Sequence, residues 1–215
     1  MRRTKAEAAE TRATILEAAE MMFFEKGVGS STLDDIAAAA GVTRGAIYWH
    51  FSSKTDIFLE LYDTFRLPLL NMLELPDPAC RGVDALAMIE DSACEWLQVM
   101  ATDPQRQRML TILLRTNFTE EFAPVQQAMR ELEELHDKQL QQVLQRADEN
   151  GRLASGWTPA SSCHAVKWLI KGICWEWLLG GRNFDLDKEG CGCVRKLFAS
   201  FRNPSAPPLS TAVQA

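Results

Sequence analysis

The sequence predicts an all-α chain: three short helices at the N-terminus, a fourth that links them onward, and a larger helical region behind. Apolar residues recur at three- and four-residue spacing in nearly every segment. N-cap residues, glycines and prolines punctuate those segments at helical lengths. No stretch shows the sustained alternation of a half-buried strand.

Thr4-Lys5-Ala6-Glu7 forms a capping box, and Ile15, Ala18, Ala19, Met22 and Phe23 make one apolar stripe that ends at Gly27. Thr32 caps a second helix through Ile36 and Ala40, with Asp34 and Asp35 in the first turn, where the helix dipole favours carboxylates. Gly41 stops it, and Thr43 caps a third helix from Arg44 to about His50. After Ser52-Ser53, Lys54 opens a fourth helix carrying Ile57, Phe58, Leu61 and Phe65. Pro68 is expected to kink or end it, and Pro76-Asp77-Pro78 reads as a loop. Helices near 83–102, from Pro104 to about 115, and on to Asn150 follow. Two more run from Thr158-Pro159 to Gly180-Gly181 and over about 187–201, with an unstructured tail expected after Asn203. The expected organisation is a small N-terminal helical domain at 1–54, a larger helical domain at 55–203 and a tail at 204–215.

Composition narrows the function. With 47% hydrophobic and 24% charged residues the chain is ordinary globular protein. Its most apolar segment, Trp168 to Leu179, is broken by Lys171 and Glu176, so no membrane association is expected. The N-terminus lacks the apolar core of a secretion signal, which makes the cytoplasm the expected location. Six cysteines there should be reduced. Cys191-Gly192-Cys193 has no second Cys/His pair at ligand spacing, and reads as a helix turn with incidental thiols. No cofactor or metal is expected. No nucleophile–base pair or phosphate-cradling loop is evident either, which points away from an enzyme. The net charge of −6 is uneven: residues 1–54 carry seven basic and seven acidic residues, so the excess acid lies behind them. A local basic face can still bind phosphate.

Thr32 to Phe51 meets the requirements of a helix-turn-helix. Two short helices crossing steeply need a glycine at the tight turn and small residues where they touch, and Gly41 with alanines 37–40 supply both. Val42 and Ile47 face the core, and the second helix directs its N-terminal residues at base edges. Arg44 reaches for a guanine, Gly45 permits close approach, and Thr32, Thr43, Tyr48, Trp49, His50 and Lys54 complete the expected DNA contacts. Tyr48, Trp49 and His50 cannot all be core, because neighbours on a helix are rotated by roughly 100°.

Residues 32–58, centred on Thr43-Arg44-Gly45-Ala46-Ile47-Tyr48-Trp49-His50-Phe51, resemble the DNA-binding domain of the TetR family of repressors. Arg2-Arg3-Thr4-Lys5-Ala6-Glu7 and the Trp49-His50-Phe51 ending resemble its subgroup that represses multidrug efflux pumps. Gly172-Ile173, Trp177-Leu178 and Phe184-Asp185-Leu186 are similar to that subgroup's last two helices. The resemblance implies a homodimer that binds double-stranded operator DNA and is released by a small lipophilic effector. A regulator with no effector is the alternative. One departure stands out: the subgroup often has Cys-Glu-Phe where this chain has Thr116-Asn117-Phe118, which implies a lesser preference for cations.

Tryptophan and methionine in the C-terminal region serve either a core or an adaptable pocket. Trp96 and Met100 share a helix face, and with Leu113, Asn117, Phe118 and Trp168 they form the expected effector lining. His136 and His164 read as structural histidines, and Glu131, Glu133, Glu134 and Asp137 as a solvated helix face. The dimer face is expected on the last two helices, through Ile170, Trp177, Leu178, Val194, Leu197, Phe198 and Phe201.

Overall fold

The computed structural model describes residues 4–72 and 84–206, with side chains for all of these except 67–72. The N-terminal arginines, the Pro76–Pro78 loop, Cys80 and the tail beyond 206 lie outside the described residues. The described part is helical, with a single isolated β-bridge between Leu153 and Arg202. The helices are α1 (Lys5–Lys26), α2 (Leu33–Ala39), α3 (Arg44–His50), α4 (Lys54–Met72), α5 (Ala85–Thr102), α6 (Pro104–Arg115), α7 (Ala123–Glu149), α8 (Pro159–Leu179) and α9 (Cys191–Phe201). A 3₁₀ turn at Glu120–Phe122 precedes α7, and a π-turn at Leu186–Gly190 leads into α9.

Caps set most of these boundaries. Thr4 and Glu7 exchange hydrogen bonds at the start of α1, as Thr32 and Asp35 do at α2 and Thr158 and Ser161 at α8. Ser53 and Asp56 do the same for α4: the Asp56 N–H donates to Ser53 Oγ at 3.1 Å, and the Ser53 N–H donates to Asp56 Oδ2 at 3.0 Å. The exposed Asp35 carboxyl sits below its ordinary value, chiefly through the Thr32 hydroxyl. Pro68 does not end α4, which continues to Met72.

The chain forms two compact units that interleave along the sequence: Met1–Pro68 with Pro104–Glu131, and Leu69–Asp103 with Leu132–Ala215. In the first, Phe58 is fully buried, with Phe23, Phe118 and Phe122 all around its ring at 5.8–6.1 Å. Buried Glu20 on α1 accepts from Arg108 Nε at 2.7 Å and Gln105 Nε2 at 3.1 Å, which ties α1 to α6.

In the second unit, α5 packs against the π-turn, α8 and α9. Gly190 makes this approach possible, because a Cβ there would meet Leu97 Cδ1 at 3.0 Å. Val194, Phe198 and Phe201 on α9, with Trp177 and Leu178 on α8, are buried in this core. The structure thus turns inward five of the seven side chains expected at a dimer face. The outward apolar stripe on α8 is a different set, Trp168, Trp175 and Leu179.

Candidate nucleic-acid interface and apolar pocket

The first unit presents α2 and α3 as a tight pair. Gly41, at φ +65°, closes α2: its N–H donates to Ala38 O at 3.2 Å, and the Val42 N–H donates to Ala37 O at 2.9 Å. This is a Schellman ending, and a side chain at Gly41 would strain the left-handed backbone. Thr43 then caps α3 by accepting from the Ala46 N–H at 3.2 Å. Of the seven α3 residues only Ile47 is buried. Arg44, Gly45, Tyr48 and Trp49 are exposed, Trp49 at 72%, as are the caps Thr32 and Thr43. Six of the eight expected DNA contacts are therefore open to a partner.

The other two, His50 and Lys54, are half-buried. The His50 ring meets the edge of Trp49 with centroids 4.5 Å apart. Lys54 Nζ donates to Gly29 O at 3.4 Å and lies 5.5 Å from the Phe122 ring. Arg44 Nε sits 3.2 Å from Asp34 Oδ1, and its guanidinium lies 5.7 Å from the Tyr48 ring. Asp34, expected only to favour the helix dipole, thus also orients the arginine.

One group behind this face escaped the sequence reading. Arg12 of α1 donates to His50 O at 2.8 Å, pairs through both ends of its guanidinium with Glu60 of α4, and covers the Phe51 ring at 4.2 Å. It gives the C-terminal end of α3 a fixed attachment to two longer helices. Partners 38 and 48 positions away leave no local signal in the sequence.

Within the second unit, α5, α7 and α8 line a half-open cavity of about 290 Å³. Helix α5 contributes Ile89, Ser92, Ala93 and Trp96; α7 contributes Glu133, His136, Asp137 and Leu140; α8 contributes Val166, Lys167, Ile170 and Lys171. Lys167 pairs with Asp137 at 2.5 Å, and Lys171 pairs with Glu133. Of the four acids of the expected solvated face, Glu131, Glu133 and Glu134 are exposed, and Glu133 and Asp137 stand in these ion pairs. Trp96 is hydrogen-bonded to Cys174, whose thiol is pushed up to about 11, mainly by burial. His136 Nε2 is buried and has no hydrogen-bond partner among the described residues. Burial lowers its pKa, against the pull of Asp137.

Of the six residues expected at an effector site, Trp96 lines this cavity. Met100 is fully buried on the same helix, and Trp168 is 70% exposed, stacked on His164 at 5.2 Å. Leu113, Asn117 and Phe118 belong to the first unit, where Leu113 is buried, Asn117 exposed and Phe118 stacked on Phe58. Three of the six thus lie in each unit, and within the second unit Trp96 is the one that lines the cavity. The positions 89, 92, 93, 96 and 133, 136, 137, 140 do share helix faces, a spacing that could have revealed the lining.

Among the described residues no cluster of three or more His, Cys, Asp or Glu could hold a metal, and no helix is long and apolar enough to cross a membrane. Residues 15–61 match the family of bacterial regulatory proteins, tetR family. Residues 84–202 match the C-terminal region of MAATS-type transcriptional repressors. The HTH-type transcriptional repressor BepR of Brucella suis biovar 1 (strain 1330) is 38% identical, over 97% of this chain and 100% of its own. The HTH-type transcriptional regulator AcrR of Shigella flexneri is 35% identical, over 95% and 98%. Among solved structures, NalD, the secondary repressor of the MexAB-OprM multidrug efflux pump in Pseudomonas aeruginosa, superposes with a TM-score of 0.83 at 34% identity, over 93% of this chain and 100% of that one. SmeT of Stenotrophomonas maltophilia, in its complex with triclosan, gives 0.78 at 25% identity, over 96% and 98%. With a helix-turn-helix whose outer face is open and a C-terminal match across most of the remaining chain, this protein belongs to the TetR family of transcriptional regulators.

Proposed function

We propose that this chain is a homodimeric, cytoplasmic repressor of a multidrug efflux operon, released from double-stranded operator DNA when a small lipophilic effector fills the α5–α7–α8 cavity. The observation that carries this reading is the cavity: a largely apolar space with few polar groups, in a chain whose other unit displays an open recognition helix. Thr32, Thr43, Arg44, Gly45, Tyr48, Trp49, His50 and Lys54 supply the DNA contacts, and Trp96 the aromatic wall of the effector site. The relatives support the efflux role, since NalD and SmeT are described as repressors of multidrug efflux pumps. The triclosan complex of SmeT supports a small hydrophobic effector.

The exposed α8 stripe of Trp168, Trp175 and Leu179 supports self-association. A two-fold dimer would place its recognition helices one DNA turn apart, ~34–36 Å, on a near-palindromic site. Effector binding acts by favouring a state with the wrong spacing, and only through its differential affinity for that state. The test is fluorescence anisotropy of DNA from upstream of the chain's own gene, titrated with protein and then with hydrophobic compounds, while the Trp96 contribution is followed as the difference in tryptophan emission between the unaltered protein and Trp96→Phe. Specific binding reversed by a compound that perturbs Trp96 supports the proposal. Binding that no hydrophobe reverses favours the regulator without an effector.

A further inference from the structure

We infer that Asp34 is a specificity residue of the DNA interface: with Arg44 it forms a paired donor and acceptor that accepts one G·C base pair and rejects A·T in the same place. The inference rests on Arg44 as the base-reading residue proposed above, and adds the base pair it reads and the group that enforces the choice.

The two acids at the start of α2 have different surroundings. Asp35 accepts from the Thr32 hydroxyl at 2.6 Å and from the Thr32 N–H at 3.3 Å, so its carboxylate is occupied by the helix cap. The Asp34 side chain is 53% exposed, and among the described residues it pairs with Arg44 alone, Oδ1 lying 3.2 Å from Nε. Arg44 has one further contact, the Tyr48 ring 5.7 Å from its guanidinium. With Nε turned to Asp34, the Nη1 and Nη2 donors form the outer edge of the fork. All three side chains are open to solvent, and therefore to a duplex laid against α3.

Across the major groove a G·C pair offers guanine N7 and O6 as two acceptors, followed by the cytosine N4 amine as a donor. O6 and N4 are hydrogen-bonded to each other, so they lie about 2.9 Å apart, close to the 3.2 Å between the arginine nitrogen and the aspartate oxygen. Two donors followed by an acceptor are the complement of that edge. Arg44 gives its Nη donors to N7 and O6, and Asp34, released from Nε, accepts from N4. An A·T pair reverses the last two places. The adenine N6 amine then meets the guanidinium and thymine O4 meets the carboxylate, which leaves both charges without a partner. Asp34 thus supplies repulsion against the wrong pair, and repulsion of this kind raises discrimination without raising affinity. Among duplex phosphates its charge also opposes binding to every sequence, so its removal tightens non-specific contact.

The test is selection of bound duplexes from a randomised library by the full-length protein, by Arg44→Ala and by Asp34→Asn. Anisotropy titrations at one salt concentration follow, on duplexes that differ only at the position whose preference Arg44→Ala relaxes. The unaltered protein should prefer G·C there. Asparagine has nearly the shape of aspartate but donates as well as accepts. Asp34→Asn should therefore lower the preference for G·C over A·T at that position by about fivefold or more. It should leave the other positions unchanged, bind scrambled DNA more tightly and keep the helical content seen by circular dichroism. A preference that stays within about twofold of the unaltered protein's would overturn the inference and leave Arg44 as the reader. So would equal weakening on every sequence, the signature of an acid that only supports the helix dipole. A preference for A·T at that position in the unaltered protein would overturn it as well. If Arg44→Ala relaxed no position, the inference would fall together with the base-reading role beneath it.

Discussion

Arg44 stands 72% exposed with Asp34 beside it at 3.2 Å, and an exposed ion pair of this kind is worth ~0–1 kcal/mol. It yields readily to a better partner, as the proposed base-reading role requires. Arg44→Ala should cost ~1–3 kcal/mol of operator affinity and relax base preference. Lys54→Ala should weaken every sequence alike and lower the salt slope by about one. Anisotropy titrations on operator and scrambled DNA at several salt concentrations separate the two, and equal loss of specificity in both would reject the division of roles. Buried Glu20 belongs to stability instead. Glu20→Ala strands Arg108 and should destabilise the protein by about 2 kcal/mol in urea unfolding, less than the ~3–5 kcal/mol of a fully buried pair because Arg108 keeps 29% of its side chain exposed. His136 adds a pH dependence. Its folded pKa lies below the ordinary 6.5, so the unfolded chain binds the proton first as pH falls. Its stabilising contribution is complete above 6.5 and is lost as pH falls through the folded value; urea midpoints across pH 7.5 to 5 should fall less in His136→Gln than in the unaltered protein.

At the scale of the element, α8 is apolar on two faces with separate uses. Trp177 and Leu178 hold the core, while Trp168, Trp175 and Leu179 at spacings of seven and four face outward. Removing everything from residue 187 onward would strip Val194, Phe198 and Phe201 from that core, so truncation tests folding more than association. Trp168→Glu with Leu179→Glu is the sharper experiment: sedimentation should show a monomer that keeps its helical content. A dimer of unchanged affinity would move the interface elsewhere. The sequence disclosed that α8 exists, through Thr158, Pro159 and Gly180, because caps act within a turn. It did not disclose which apolar face was which, because a helix apolar nearly all round has two solutions and only its neighbours choose. For the same reason the ion pairs of Glu133 and Asp137 went unread: their partners Lys171 and Lys167 are 38 and 30 positions away. The helix-turn-helix was legible down to its caps, since Thr32, Gly41 and Thr43 satisfy backbone groups three residues away.

At the scale of the whole molecule, a repressor that releases DNA on binding an effector must obey reciprocity. Whatever factor the effector takes from operator affinity, operator DNA must take from effector affinity. Titrating the effector into free and operator-bound protein should give dissociation constants whose ratio equals the shift seen in the DNA titration. Loss of operator affinity that keeps growing with effector concentration and reaches no plateau would mean that release is competition for the DNA-binding surface and not coupling between two sites. The interleaving of the two packing units was hidden from the sequence, because composition changes little at residues 68, 103 and 131.

Helix α3 is seven residues long and too short to hold itself together in water. Arg12, reaching from α1 to the carbonyl of His50 and on to Glu60, and Ile47 in the core give it an orientation its own sequence could not maintain. The fold therefore owes little to positions 44, 45, 48 and 49, the exposed residues proposed as DNA contacts. Exposed substitutions of that kind usually change stability by less than about 0.5 kcal/mol. A lineage of such proteins is free to drift from one operator to another through those four positions, with Arg12, Glu60 and Ile47 unchanged, and never pass through an unfolded ancestor.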